Sequence, residues 1–333
     1  MHRNNGTLVR YLAVLLVVLQ HGFMFAGRPD PVGRYGFWWI GNIGVWMFFA
    51  LSGFLLLQRV RQEPLGQFVK HRLLRIFPML ITVNLMVVLA GLVLTQLPAD
   101  RYFAEGGISY LYRNLLWFGQ PELPGQSFRF TDGSHAQVNG SLWSVYLELR
   151  AYLLLSVLAW LGLAADRRTL NLLVLIAVLL EPAKTWLHWG DPRAYSVTLA
   201  FLFGCFFASE FPRLSLRATL AAGLAGLALL GMTQIPVWSV LMLFCLCAVT
   251  VGLAFGEVPC LRVADRLPDL TYGIFLLHWP VMLVLATLVP PEPASLILGG
   301  LFVACCIAWP LHLWVEQPVR RWGHRLGARP GSV

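Results

Sequence analysis

Apolar residues come in long blocks, not at every third or fourth position. Ten blocks can be marked, near 8–26, 38–58, 76–96, 141–163, 169–183, 196–211, 218–234, 236–256, 271–290 and 295–315. Most approach the roughly 20 residues that a helix needs to cross a bilayer's hydrocarbon core. Only the fifth and sixth are short. A backbone in lipid must pair its own N–H and C=O groups, so such blocks predict helices. The expected fold is all-α: a polytopic integral membrane protein with about ten transmembrane helices. A membrane domain is expected over 1–318, then a short basic tail over 319–333. The first block follows the basic stretch Met1–Arg10 but shows no small-x-small cleavage site, so it reads as a span, not a removed signal. No internal repeat is visible.

Composition points the same way. Of 333 residues, 58% are hydrophobic and 12% charged, whereas soluble domains average about 25% charged. A water-soluble globule is excluded, and so is disorder, which needs few apolar residues. The net charge of +9 would suit nucleic acid, but Lys70 and Lys184 are the only lysines and the arginines sit mostly in short links. No nucleic-acid partner is expected. Alternate links carry seventeen Lys and Arg on one side and seven on the other. That asymmetry predicts both termini in the cytoplasm and an even number of crossings. The link 97–140 is then periplasmic. It is rich in Gly, Pro and aromatics, as a lid, a binding loop or a plain connector would be. The arginine bias, with abundant Ala, Leu and Gly, suggests a GC-rich bacterial genome. Six cysteines fit no zinc or disulfide spacing and read as small buried hydrophobes. No metal is expected.

Ionisable groups inside spans are costly and are therefore functional candidates. Arg10 and His21 lie eleven residues apart, within about 20° of one helix face and about 16 Å along the axis. A cation at the rim thus lines up with an imidazole deep in the bilayer. Histidine there suits a general base, since its pKa lies near neutrality, or simple packing by a hydrogen bond. Arg72 and Arg75 share a face at the start of the third span. Two guanidiniums suit phosphate, and equally topology anchoring or anionic lipid. Ser141, Ser144, Glu148 and Tyr152 form a polar stripe down the fourth span. Glu148, about 10 Å past Ser141, needs a partner, and His21 is one candidate. Arg150 lies about 200° round from Glu148. His278 precedes Pro280, which can kink the ninth span. Glu316 and Arg320 are spaced for a helix-end ion pair.

Singly these signals are weak, but their order resembles the acyltransferase-3 family of multi-spanning membrane O-acyltransferases. Arg10 and His21 resemble its Arg, ten residues, His. Residues 42–55, N-I-G-V-W-M-F-F-A-L-S-G-F-L, resemble its Gly-Val-x-x-Phe-Phe-x-x-Ser-Gly-Phe-Leu. H-R-L-L-R-I-F-P resembles Arg-x-x-Arg-Ile-x-Pro. S-L-W-S-V-Y-L-E, with Trp143 at its third place, resembles Ser-Leu-Trp-(Ser/Thr)-Leu-x-x-Glu and puts the family's glutamate at Glu148. L-T-Y-G-I-F-L-L-H-W-P and W-V-E-Q-P resemble the last two motifs. Trp46 stands where many members have an acid, Phe275 replaces a tyrosine, and Leu149–Arg150 replace Glu-Gln. No esterase-like domain is expected after the last span.

The resemblance implies a bacterial inner-membrane enzyme and an acyl-CoA donor, usually acetyl-CoA, taken from the cytoplasm. It implies a hydroxyl acceptor on a cell-envelope glycan or lipid-linked saccharide. Under it, Arg10, Arg72, Arg75 and His278 would hold the donor, and Ser141, Trp143, Ser144 and Tyr152 the acceptor. His21 would be the base or an acyl relay, and Glu148 would orient it. Two other readings stand beside this: a transporter or flippase whose His and Glu relay protons, and a membrane scaffold.

Overall fold

A computed structural model describes residues 5–33, 39–116, 122–126, 128–187, 190–211, 213–231, 239–256 and 267–325, the side chains of 182–186 and 324 lying outside that set. Its helices are α1 (Gly6–Phe25), α2 (Ile40–Gln62), α3 (Leu65–Leu94), α4 (Ala99–Tyr102), α5 (Ile108–Leu116), α6 (Leu142–Trp160), α7 (Arg167–Leu187), α8 (Pro192–Glu210), α9 (Leu216–Gly231), α10 (Ser239–Phe255), α11 (Thr271–Leu288), α12 (Pro293–Leu311) and α13 (Gln317–Arg325). Among the described residues there is no strand beyond an isolated bridge between Arg129 and His135.

Among the described residues each of the ten apolar blocks overlaps a helix. Six helical segments are long and apolar enough to cross a membrane: α1, α2, α3, α6, α11 and the run Pro293–Gly323. The helices α9 and α10 are apolar but shorter. The two short blocks belong to longer helices than their apolar cores suggested. Asp166 caps α7, accepting from the Thr169 amide at 2.9 Å, and Asp191 caps α8, accepting from the Arg193 amide at 2.9 Å. Caps of this kind satisfy the orphan amides of a first turn, so Arg167, Arg168 and Arg193 are helical although polar. Hydrogen bonds from Thr169 hold the Asp166 carboxyl below its ordinary range.

The chain forms two compact units, whose boundaries fall inside α1, α3 and α6. The first comprises 1–17, 32–68 and 147–269. Its centre is α2 against α8, brought to backbone contact by two small residues. A Cβ on Gly53 would lie 2.0 Å from the Phe201 carbonyl, and one on Gly204 2.1 Å from the Ala50 carbonyl. Close approach through small residues is how helices pack where lipid supplies no hydrophobic drive. The Asn5 amide donates to the Ala254 carbonyl at 2.8 Å and fixes the start of α1.

The second unit comprises 18–31, 69–146 and 270–333. It packs α11 on α12 and includes most of α3. Among the described residues the link 97–140 holds α4, a π-turn over Phe103–Gly107, α5, and a tight hairpin over 128–136. Tyr102 donates to the Val88 carbonyl of α3 at 2.8 Å, and burial pushes its hydroxyl up to about 12. A second π-turn, His312–Glu316, joins α12 to α13.

Candidate active site

The second unit brings His21, at the end of α1, against His278 of α11. His21 Nδ1 lies 2.7 Å from His278 Nε2. The two rings are only 8° from parallel, with centroids 5.0 Å apart, a geometry compatible with that hydrogen bond. On its other side His278 Nδ1 lies 3.2 Å from the Ile274 carbonyl. A carbonyl only accepts, so Nδ1 of His278 carries the proton. In a neutral ring its Nε2 is then a bare acceptor. His21 must therefore donate from Nδ1, which leaves its own Nε2 as an unprotonated lone pair. Among the described residues no group bonds to that nitrogen. His278 is fully buried and His21 half-buried.

The local sequence explains this arrangement. Pro280 has no N–H, so the Leu276 carbonyl four residues earlier loses its helical partner. Asn139 supplies a substitute, donating from Nδ2 to Leu276 O at 3.0 Å. Next to it, the Trp279 indole donates to the Gln137 carbonyl at 2.8 Å. Gly140 lies flat on that indole: a Cβ there would come 2.4 Å from Trp279 Cζ2. The segment 137–140 thus clamps the turn of α11 that carries His278. Neither Asn139 nor Gln137 stood out in the sequence. The available signal was a proline within a span, whose freed carbonyl must find a donor.

Three aromatic rings line the same place. Trp279 stands edge-on to His21, with centroids 4.6 Å apart. Phe25, one turn beyond His21, lies 5.1 Å from Trp279 and 5.2 Å from Phe130 of the hairpin. None of the three was singled out from the sequence.

The remaining predicted residues are placed as follows. In the second unit Ser141 is buried and donates to Asn139 Oδ1 at 2.6 Å. Ser144 is buried and donates to the Ser141 carbonyl at 3.4 Å. Trp143 is half-buried. Arg72 and Arg75 lie on α3, both half-buried. Arg75 is ion-paired with Glu316 and sits 5.7 Å from the Tyr272 ring centre. Glu316 also accepts from His312 Nδ1 at 2.8 Å and has Arg320 at 3.6 Å. In the first unit Arg10 Nη1 pairs with Asp269 at 3.3 Å. There the Tyr152 hydroxyl donates to the Glu148 carboxylate. Trp46, at the position noted as acidic in many relatives, donates from its indole to Ser196 Oγ at 3.1 Å. Arg150 is exposed. Of the cysteines, 205, 245 and 247 are buried, 305 is half-buried and 306 exposed, while Cys260 lies outside the described residues. Among the described residues no group of three or more His, Cys, Asp or Glu is placed to hold a metal.

A family model described as an acyltransferase domain matches residues 7–313. Over 160 residues the chain is 29% identical to a protein named O-acetyl transferase from Shigella phage Sf6, covering 47% of this chain and 46% of that protein. It is 26% identical over 302 residues to a protein named as a membrane-bound transacylase from Komagataeibacter xylinus, covering 83% of this chain and 72% of that one. It is 28% identical over 175 residues to nodulation protein 10 of Rhizobium leguminosarum bv. viciae, covering 47% and 44%. The matches thus span less than half the length of the phage and nodulation proteins. No solved structure matches the chain.

Proposed function

The chain belongs to the acyltransferase-3 family, and on that premise we propose that it is a membrane O-acyltransferase that moves an acetyl group from cytoplasmic acetyl-CoA to a hydroxyl of a cell-envelope glycan. The reading takes ten spans with both termini in the cytoplasm of a bacterial inner-membrane protein. One observation carries the chemistry: the chain Ile274 carbonyl, His278, His21, which leaves a lone pair on His21 Nε2.

In the proposed reaction His21 Nε2 takes the proton of an acceptor hydroxyl as its oxygen attacks the thioester carbonyl. A C–O bond forms, the C–S bond breaks, and the coenzyme leaves as a thiolate that takes the proton back from Nε2. His278 fixes the tautomer of His21 and accepts from the imidazolium that forms, the role an orienting group plays for a catalytic histidine. His278 thereby moves from the donor-binding set to the base. Arg72, Arg75 and Arg10 hold the coenzyme's phosphates. A guanidinium carries its five N–H donors in a planar fork that matches phosphate oxygens. Arg10 precedes His21 by eleven residues, and in this reading the ~16 Å that helical rise gives that spacing serves as a ruler for the coenzyme's arm. Ser141, Trp143, Ser144 and Tyr152 contribute to the acceptor side, and Glu148 assists the base or the acceptor.

The test is His21→Ala in purified protein reconstituted in vesicles, given radiolabelled acetyl-CoA and envelope glycan. Loss of a general base lowers transfer about 10²–10⁴-fold. Transfer at the unaltered rate would refute the assignment. Envelope glycan compared by mass between intact and deletion strains reports the acceptor.

A further inference from the structure

An acyltransferase whose base can deprotonate a hydroxyl can also deprotonate water. Resting on the reading above, that makes exclusion of water a requirement of the site, and the second unit holds an element built for it. The hairpin 128–136 is closed by Phe130 N to Ser134 O at 2.9 Å and Ala136 N to Phe128 O at 2.9 Å. Its turn is fixed by Asp132, which accepts from the Ser134 amide at 2.8 Å and from the Ser134 hydroxyl at 2.6 Å. Thr131 is seated on Gly27, whose φ of 63° and 2.0 Å Cβ clearance admit no other residue without strain. These contacts press Phe130 onto Phe25 and Trp279, with centroids 5.2 and 6.3 Å away. Phe25 and Trp279 are 2% and 7% exposed, and Trp279 in turn stands against His21. The rings form an apolar wall beside the imidazole, with the exposed hairpin as its outer backing.

We propose that Phe130, held by the hairpin 128–136 against Phe25 and Trp279, is a specificity-determining residue that keeps water from His21, so that a glycan hydroxyl and not water takes the acyl group. Without Phe130 the side reaction is thioester hydrolysis. Water loses a proton to His21 Nε2, its oxygen bonds to the acyl carbon, the C–S bond breaks, the departing thiolate takes that proton back from Nε2, and acetic acid and the free thiol leave. Phe130 is a positioning residue, because it acts on the base through Trp279, which stands against both rings.

The test uses the full chain in vesicles with acetyl-CoA alone, and reads thiol release with no acceptor present. Wild type releases thiol slowly. Phe130→Ala is expected to release it about tenfold faster, Phe130→Leu to stay near wild type, and Asp132→Ala, which loosens only the exposed turn, to give a smaller rise. Adding His21→Ala to Phe130→Ala abolishes the gain. A merely structural role for Phe130 would lower thiol release, not raise it. If neither Phe130→Ala nor Asp132→Ala exceeds wild type, the proposal is overturned, and Asp132→Ala decides it alone should Phe130→Ala not fold. The two readings fail separately. Normal transfer by His21→Ala removes the base itself, whereas an inactive His21→Ala beside unchanged thiol release in the hairpin variants removes only the barrier.

Discussion

Under the proposed reaction, replacing His278 separates two jobs, orienting the base and holding the donor. In the structure its Nε2 receives the Nδ1–H of His21 at 2.7 Å while its Nδ1 is committed to Ile274 O. His278→Leu keeps the apolar volume and removes the acceptor. The Nδ1–H of His21 then has no partner in a buried place, which costs about 1–3 kcal/mol. The alternative tautomer, with its proton on Nε2, becomes competitive, and that form has no lone pair on Nε2 with which to take the hydroxyl proton. At about 1.4 kcal/mol per tenfold, the turnover rate falls roughly 5- to 150-fold. The loss should appear in kcat. The KM for acetyl-CoA should hold, because a residue acting through the base leaves ground-state binding of the donor alone. His278→Gln can accept from His21 through its amide oxygen and donate to Ile274 through its nitrogen, so it should recover much of the rate. The assay is initial-rate acetyl transfer over a range of acetyl-CoA. A raised KM with unchanged kcat in His278→Leu would refute the argument and return His278 to the donor site.

Further outcomes concern stability. Gly53→Ala places a methyl 2.0 Å from the Phe201 carbonyl, and overpacking of this kind costs about 1–3 kcal/mol. Its melting temperature in detergent should fall, whereas Gly66→Ala, which meets nothing within 4 Å, should melt as wild type does. Arg75→Ala and Glu316→Gln should be non-additive, with a coupling of about 0.5–3 kcal/mol in a double-mutant cycle of thermal melts, since the two side chains are ion-paired. Additive effects would mean that Arg75 and Glu316 act independently.

The hydrophobic pattern revealed the helices because their period and length are local properties. Among the described residues each of the ten blocks overlaps a helix, and the differences lie at polar ends such as Arg167 and Arg193, where a cap outweighs an unfavourable composition. The site was legible in part. His21 stood out as an imidazole in a span, and Pro280 marked the turn that carries His278. The bond between them joins residues 257 positions apart, and no local spacing encodes it. Glu316 shows the same limit. Its contact with Arg320 follows from helical spacing, but its closer partner Arg75 is 241 positions away. Asn139, Trp279, Phe25 and Phe130 look like ordinary amide and core residues until the chain is folded. Their roles come from a missing proline N–H and from tertiary contact.

The π-turn at His312–Glu316 has a consequence for how this segment tolerates change. A wide turn inserts one residue beyond the α-helical count. Deleting a single residue there would restore ordinary pitch and leave α13 close to its present register, because the widened turn absorbs the extra residue. The change would fall on the turn itself, which carries the bond from His312 to Glu316 and the ion pair of Glu316 with Arg75. The extra residue is thus a local device: its loss would spare the path of the helix beyond and be felt at the ion-paired turn.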